Sequence, residues 1–167
     1  MPENIEQKVL AKLFTLLGFQ KINMSNFANR LKYQKLIYLL QNYGLSLGYG
    51  YSWYVRGPYS PILTRDLFSI SNDDAIFESS KNLTFKNSST INSKIENFKS
   101  ILGEDSQNPL FLEVLASMLF IKKSMYNKNV ECNELRDILL NLKPRLKDED
   151  DIATILDKAC SKIEKFN

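Results

Sequence analysis

The sequence predicts a mainly α fold with a small β element, an α+β class: one compact helical domain with a short strand and a β-hairpin, in an order that leaves a winged-helix-like arrangement open. Three observations carry this. Apolar residues recur at three- and four-residue spacing through most of the chain, alternation at period two appears at residues 47–56, and it reappears around a Ser-Lys-Asn turn at 75–87. A chain of 167 residues suffices for a single domain over 1–167. It divides into a helix-strand-helix-hairpin part (25–87) and a helical part (92–167).

Ile5, Val9, Leu10, Leu13, Leu16 and Leu17 define a first helix over 3–18 that Gly18 can stop. Acids stand where a secretory leader would have basic residues, so this segment reads as a mature helix. Ser25 or Asn26 can cap a second helix. Tyr33, Leu36, Ile37, Leu40 and Tyr43 fall on one face of it, with Arg30, Gln34, Tyr38 and Gln41 opposite. The polar side holds no acid, which offers Arg30, Gln34 and Gln41 as an interaction face flanked by Lys32 and Lys35. An ordinary solvated face is the plainer reading.

From Leu47 the residues alternate, with Tyr49, Tyr51, Trp53 and Val55 on the side expected to be buried. Gly57-Pro58 is expected to stop that strand, because proline supplies no ladder donor and restricts its predecessor. Ser60-Pro61 then starts a third helix over 61–70, serine as cap and proline in the first turn. Within YSWYVRGPYSP (51–61) this leaves Tyr54, Arg56 and Tyr59 without a structural duty. Arg56 beside a helix N-terminus suits an anion, and the tyrosines suit a partner surface. Against this stands a plain pairing of Arg56 with Asp66.

Residues 75–79 and 83–87 read as a hairpin, a candidate wing, and residues 86–93 as a loop. Helices are expected at 92–102, 108–126, 131–142 and 148–165. The third-last, with Leu110, Phe111, Val114, Leu115, Met118, Leu119 and Phe120, is apolar around most of its circumference and therefore central. Its apolar run falls short of the roughly 20 residues of a bilayer span, so no membrane partner is expected. The run Asp148-Glu149-Asp150-Asp151 reads as a helix start rather than a metal cluster.

Charge is distributed unevenly. Residues 7–65 contain no Asp or Glu; residues 1–66 hold eight basic against three acidic side chains, and 67–167 hold fourteen against sixteen. An acid-free third suggests an anionic partner, either an acidic protein or nucleic acid. Arg30, Lys32, Lys35, Tyr54, Arg56, Tyr59 and Arg65 are the candidate binding residues.

No catalytic, metal-binding or cofactor-binding set emerges. Histidine is absent, no phosphate-binding glycine loop or nucleophile elbow is present, and acids such as Glu78, Glu96 and Glu113 have no identifiable partner. The expectation is a non-enzyme without cofactor or metal. Cys132 and Cys160 are read as reduced thiols in a cytoplasmic protein.

LKYQKLIYLLQ (31–41), YSWYVRGPYSPILTRDL (51–67), LFLEVLASMLFIKK (110–123) and LKPRLKDEDDIATIL (142–156) together resemble the YwgA-like prokaryotic proteins and, more remotely, the SocA/Panacea antitoxin-type proteins. The latter resemblance implies a mostly helical, non-enzymatic protein that binds another protein, such as a toxin, a protease or a defence effector. Two functions follow: an antitoxin, adaptor or defence-complex subunit, with a homodimer as one form it can take; or a nucleic-acid-binding winged-helix-like protein.

Overall fold

A computed structural model of the chain describes residues 4–126 and 129–166. Among them are eight α-helices and one two-stranded antiparallel hairpin, so the mainly helical α+β class holds.

Local signals start the helices. Asn4 accepts from the Gln7 N–H to cap α1 (Ile5–Leu16), Asn26 accepts from Asn29 to cap α2 (Phe27–Asn42), and Ser60 accepts from Leu63 to cap α3 (Pro61–Asn72). The expected start of α1 at residue 3 lies outside the described residues. Asn108 accepts from both Leu110 and Phe111 at the start of α6 (Pro109–Phe120). This helix is the centre of the molecule, buried at every position from Phe111 to Leu119 and packed on α2, on α8 (Ile152–Ile163) and on the hairpin. Each such Leu or Phe removed from water contributes about 1.5–3 kcal/mol, which makes α6 the main source of cohesion. A π-helical turn, Ile121–Met125, follows it.

The β structure lies elsewhere than expected. Residues 75–79 belong to α4 (Asp74–Ser80), because the Asp73 carboxylate accepts from the Ala75 N–H and begins a helix where alternation alone suggested a strand. The expected loop at 86–93 is largely helical: α5 spans Ser88–Leu102, since Ile91 continues the Ile95, Phe98 and Leu102 face back by one turn. Instead, β1 (Ser52–Tyr54) pairs with β2 (Gly57–Tyr59) around the two-residue turn Val55-Arg56. Gly57-Pro58 therefore returns the strand rather than ending it. Pro58 lies opposite Trp53 on a strand with no further neighbour, where its missing donor costs nothing. Val55, expected in the core, is at the turn apex and 77% exposed, while Tyr51 and Trp53 are half-buried against the core.

The thiol expectation fails as well. Cys132 and Cys160 form a disulfide, with 5.7 Å between their Cα atoms. They join the first residue of α7 (Cys132–Leu142) to the last third of α8, and Arg136 pairs with Asp157 further along. The two helices run antiparallel, so residues distant in sequence meet. The acidic run precedes α8, whose first-turn N–H groups donate no capping hydrogen bond to the Asp151 side chain. No described helix is long and apolar enough to cross a membrane.

Candidate interaction groove

The second helix has no solvated polar face. Leu31 and every residue from Tyr33 to Leu40 are buried, including Gln34 and Lys35. Burial of such groups requires partners, and each finds backbone. Gln34 donates to the Ser60 carbonyl at 2.9 Å and accepts from the Ser60 N–H at 3.0 Å. Gln41 accepts from the N–H groups of Leu47 and Tyr49 and donates to the Tyr49 carbonyl. The extended chain before the hairpin is thus held by a glutamine side chain where a strand partner would otherwise be needed. Gln34 and Gln41 are committed to scaffolding.

The inner side of the hairpin is filled by charge. The Lys35 amine, 1% exposed, donates to the Pro58 carbonyl at 2.6 Å. Lys143 donates to the carbonyls of Tyr54 and Val55, and stacks its ammonium over the Trp53 ring at 4.6 Å. Arg145 pairs with the buried Glu113 and also reaches Val55. Arg56 faces the same carboxylate at 3.8 Å. Glu113 therefore has partners, 32 residues and more away in sequence, that no local pattern announces. The alternative pairing of Arg56 with Asp66 does not form: Asp66 accepts from Tyr49 and Gln7 and lies 3.8 Å from Arg65.

Four cations and one carboxylate shift the local acid–base balance. Burial, then the Lys143 and Arg145 charges, lower the Lys35 pKa to about 7. Burial and the Arg56 charge lower that of Lys143 to about 8, and burial with Arg56 also lowers Arg145. Gly57 allows this close fit. Its φ of +96° suits glycine, and a methyl there would overlap Ser117 Oγ and stand 3.7 Å from the Lys35 amine.

The outer side of the hairpin is open. Between the start of α2, the hairpin and α3 lies a groove of about 450 Å³, lined by Phe27, Arg30, Leu31, Gln34, Lys35, Tyr54, Val55, Arg56, Gly57, Tyr59, Thr64 and Phe68. Phe27, Tyr54, Val55 and Phe68 are 51%, 48%, 77% and 41% exposed, so nearly half of the large exposed apolar side chains of the described residues converge here. Tyr54 and Tyr59 meet edge to face at 5.0 Å, and the Thr64 hydroxyl donates to the Tyr59 hydroxyl. A second cavity, beside Gln20–Asn23 and α4, has mostly polar walls and charges of both signs from Lys21, Asp74 and Glu78, with no comparable apolar anchor.

Of the seven predicted binding residues, Arg30, Lys35, Tyr54, Arg56 and Tyr59 line this one groove. Lys32 turns away to Gln107, and Arg65 lies in solvent near Asp66. Sequence reasoning missed Phe27, Val55 and Phe68. Phe27 directly follows the Asn26 cap, a place where a large apolar side chain has no helical turn before it to pack on. Compared with known proteins, the sequence matches no family model, and neither a curated protein nor a solved structure matches it.

Proposed function

We propose that the chain is a non-enzymatic protein-interaction module, an antitoxin, adaptor or defence-complex accessory subunit, whose partner seats in the groove between α2, the hairpin and α3. One observation carries the reading: four exposed apolar side chains and two guanidiniums meet in one concavity. Apolar anchors in a concave site, edged by arginine, are how protein partners gain most of their affinity. The acid-free segment that first suggested nucleic acid loses its companion argument, because the hairpin expected after α3 is helix α4.

The proposal includes cytoplasmic placement. Neither cysteine of the Cys132–Cys160 disulfide lines the groove, so partner binding is expected whether the pair is bridged or reduced. Affinity capture from the native host with the wild-type chain and with Val55→Asp tests the reading. The expected result is a stoichiometric protein retained by the first and lost by the second. A partner held equally by both would remove the groove from the function, and repeated absence of any partner would count against the function itself.

A further inference from the structure

We infer that the groove receives an acidic amphipathic segment of the partner protein, one that sets apolar side chains on Phe27, Val55 and Phe68 and a carboxylate between Arg30 and Arg56. This rests on the groove being the docking surface and adds the charge and chemistry of what docks.

The lining carries cations and no carboxylate. It is drawn from residues 27–68, and the one acid within that stretch, Asp66, is turned inward, where the Tyr49 hydroxyl donates to it at 2.8 Å. The acid-free run in the sequence thus emerges as an acid-free concavity. Glu113 stands behind the hairpin, paired with Arg145, and does not line the groove.

Two guanidiniums converge at the rim. The Arg30 and Arg56 carbons lie 6.0 and 5.3 Å from the centroid of the same Phe27 ring. Arg30 spends one N–H on the Met24 carbonyl at 2.9 Å, which fixes it while leaving other donors of its fork. Arg56 faces Glu113 only at 3.8 Å, beyond hydrogen-bonding distance, and 41% of its side chain is exposed. Two guanidiniums beside one exposed ring give the rim a local excess of positive charge that Glu113, paired with Arg145, offsets only in part, and a partner carboxylate accepting from their free N–H groups adds charge-assisted hydrogen bonds.

The walls select a peptide over a polyanion. Val55, Leu31 and Phe68 offer aliphatic and aromatic contact, and with Lys35 buried the accessible cations of the lining are Arg30 and Arg56, whereas a phosphate backbone requires a longer track of cations. Tyr54 and Tyr59, the rings that could stack bases, are packed on each other. Beneath the hairpin the Lys143 ammonium and the Arg145 and Arg56 guanidiniums outnumber the single Glu113 carboxylate, and that excess positive charge on the same side disfavours a basic segment.

Selection of a display library of random twelve-residue peptides against the full chain tests this, followed by fluorescence polarisation of the enriched peptides. Two oligonucleotides, a single-stranded and a duplex DNA of mixed sequence, serve as comparison probes. Peptides combining apolar residues with Asp or Glu are expected to be enriched. Their affinity is expected to fall about tenfold with Arg56→Glu or Arg30→Glu, and to recover when the peptide acid is exchanged for Lys. Arg56→Gln and Arg30→Gln repeat the measurement without charge reversal, and an unchanged melting temperature identifies folded variants. Enrichment without acidic preference, yet abolished by Val55→Asp, overturns the inference and leaves the docking groove standing. No enrichment, or binding unaffected by Val55→Asp, overturns both. Oligonucleotide binding tighter than that of any peptide overturns the inference in favour of nucleic acid.

Discussion

The two sides of one short hairpin differ more than any two helices of this protein. Its inner side is occupied by the chain itself: Lys35, Lys143 and Arg145 donate to its carbonyls, Glu113 holds two arginines, and Ser117 fills the space above Gly57. Its outer side carries Tyr54, Val55 and Arg56 into solvent beside Phe27 and Phe68. An isolated two-stranded hairpin is at best marginally stable. The ionic side therefore serves to hold the backbone, and the apolar side is left available because the backbone is already held. Substitutions on the two sides should separate stability from binding.

The largest loss of stability is expected at Gly57→Ala. The left-handed φ costs alanine about 1–2 kcal/mol, and overlap with Ser117 adds about 1–3 kcal/mol, for a total of about 2–5 kcal/mol by chemical denaturation. The double variant Gly57→Ala/Ser117→Gly should recover the steric part but not the backbone part. A fully tolerated Gly57→Ala would show that the hairpin is not pressed against α6. Next comes Glu113→Gln. Removing the carboxylate leaves Arg145 and Arg56 beside two other cations, at a cost of about 3 kcal/mol, the low end for a broken buried pair because both arginines reach solvent. An unchanged denaturation midpoint would mean that the inner network is not structural.

How much of this was legible in the sequence follows from the range of the interactions. The caps Asn26 and Ser60 lie within three residues of the N–H groups they satisfy, and the burial of α6 is written in its own composition. Those elements could be read directly. Gln34 and Gln41, which the helical pattern offers as an interaction face or, more plainly, a solvated one, are neither, because their partners are backbone groups of another segment, up to 26 residues away in the case of Ser60. Alternation at 47–56 correctly signalled extended chain but not its partner: the Gly57-Pro58 turnback needs α6 and Ser117 behind it to be preferred over a strand end. Residues 75–79 fell the other way, since one cap at Asp73 outweighed a weak period-two pattern, and the expected second strand at 83–87 is irregular chain without its partner. In the groove, Tyr54, Arg56 and Tyr59 were found because local geometry left them no duty, whereas Lys32 and Arg65 shared only their charge with that site. The disulfide depends on how α7 and α8 pack, which spacing alone does not give.

A smaller and broader effect is expected from reduction. Opening Cys132–Cys160 releases a loop of sequence separation 28 and should cost about 2–4 kcal/mol. Because the bridge lies in the helical half, Cys132→Ser/Cys160→Ser should lower the denaturation midpoint and leave peptide affinity at the groove unchanged. Loss of binding together with stability would break the separation between the two sides of the hairpin by tying the groove to distant packing. Stability should also vary with pH. Lys35, with a pKa of about 7 when folded and an ordinary value of 10.5, binds fewer protons folded than unfolded across that interval. Stability therefore rises from pH 7 towards 10, with Lys143 contributing above about 8. Above pH 10 the sign reverses, because burial holds the Tyr38, Tyr49 and Tyr51 hydroxyls protonated past their ordinary value of 10.0, and the unfolded chain loses those protons first. Urea unfolding across this range should pass through a maximum near pH 10. Lys35→Met should flatten the rising limb; an unaltered limb would place the titration elsewhere.

The smallest stability effect, and the most informative, belongs to Val55→Ser. Val55 sits at the apex of the turn with 77% of its surface in water, and the inner network contacts its carbonyl rather than its side chain. Replacing the isopropyl group with a hydroxymethyl group should change unfolding free energy by less than about 0.5 kcal/mol, the usual range for an exposed position. The same change removes an apolar anchor from the groove, where a buried contact is worth about 1–2 kcal/mol of affinity. If the hairpin is a backbone fixed from within so that its outer face can be occupied, binding falls about tenfold at constant stability. If stability falls as well, the apex valine packs on its own chain and the groove is part of the core. Titration of an enriched peptide alongside thermal unfolding of the same preparation separates these outcomes, because the inner and outer roles of the hairpin then appear in different measurements.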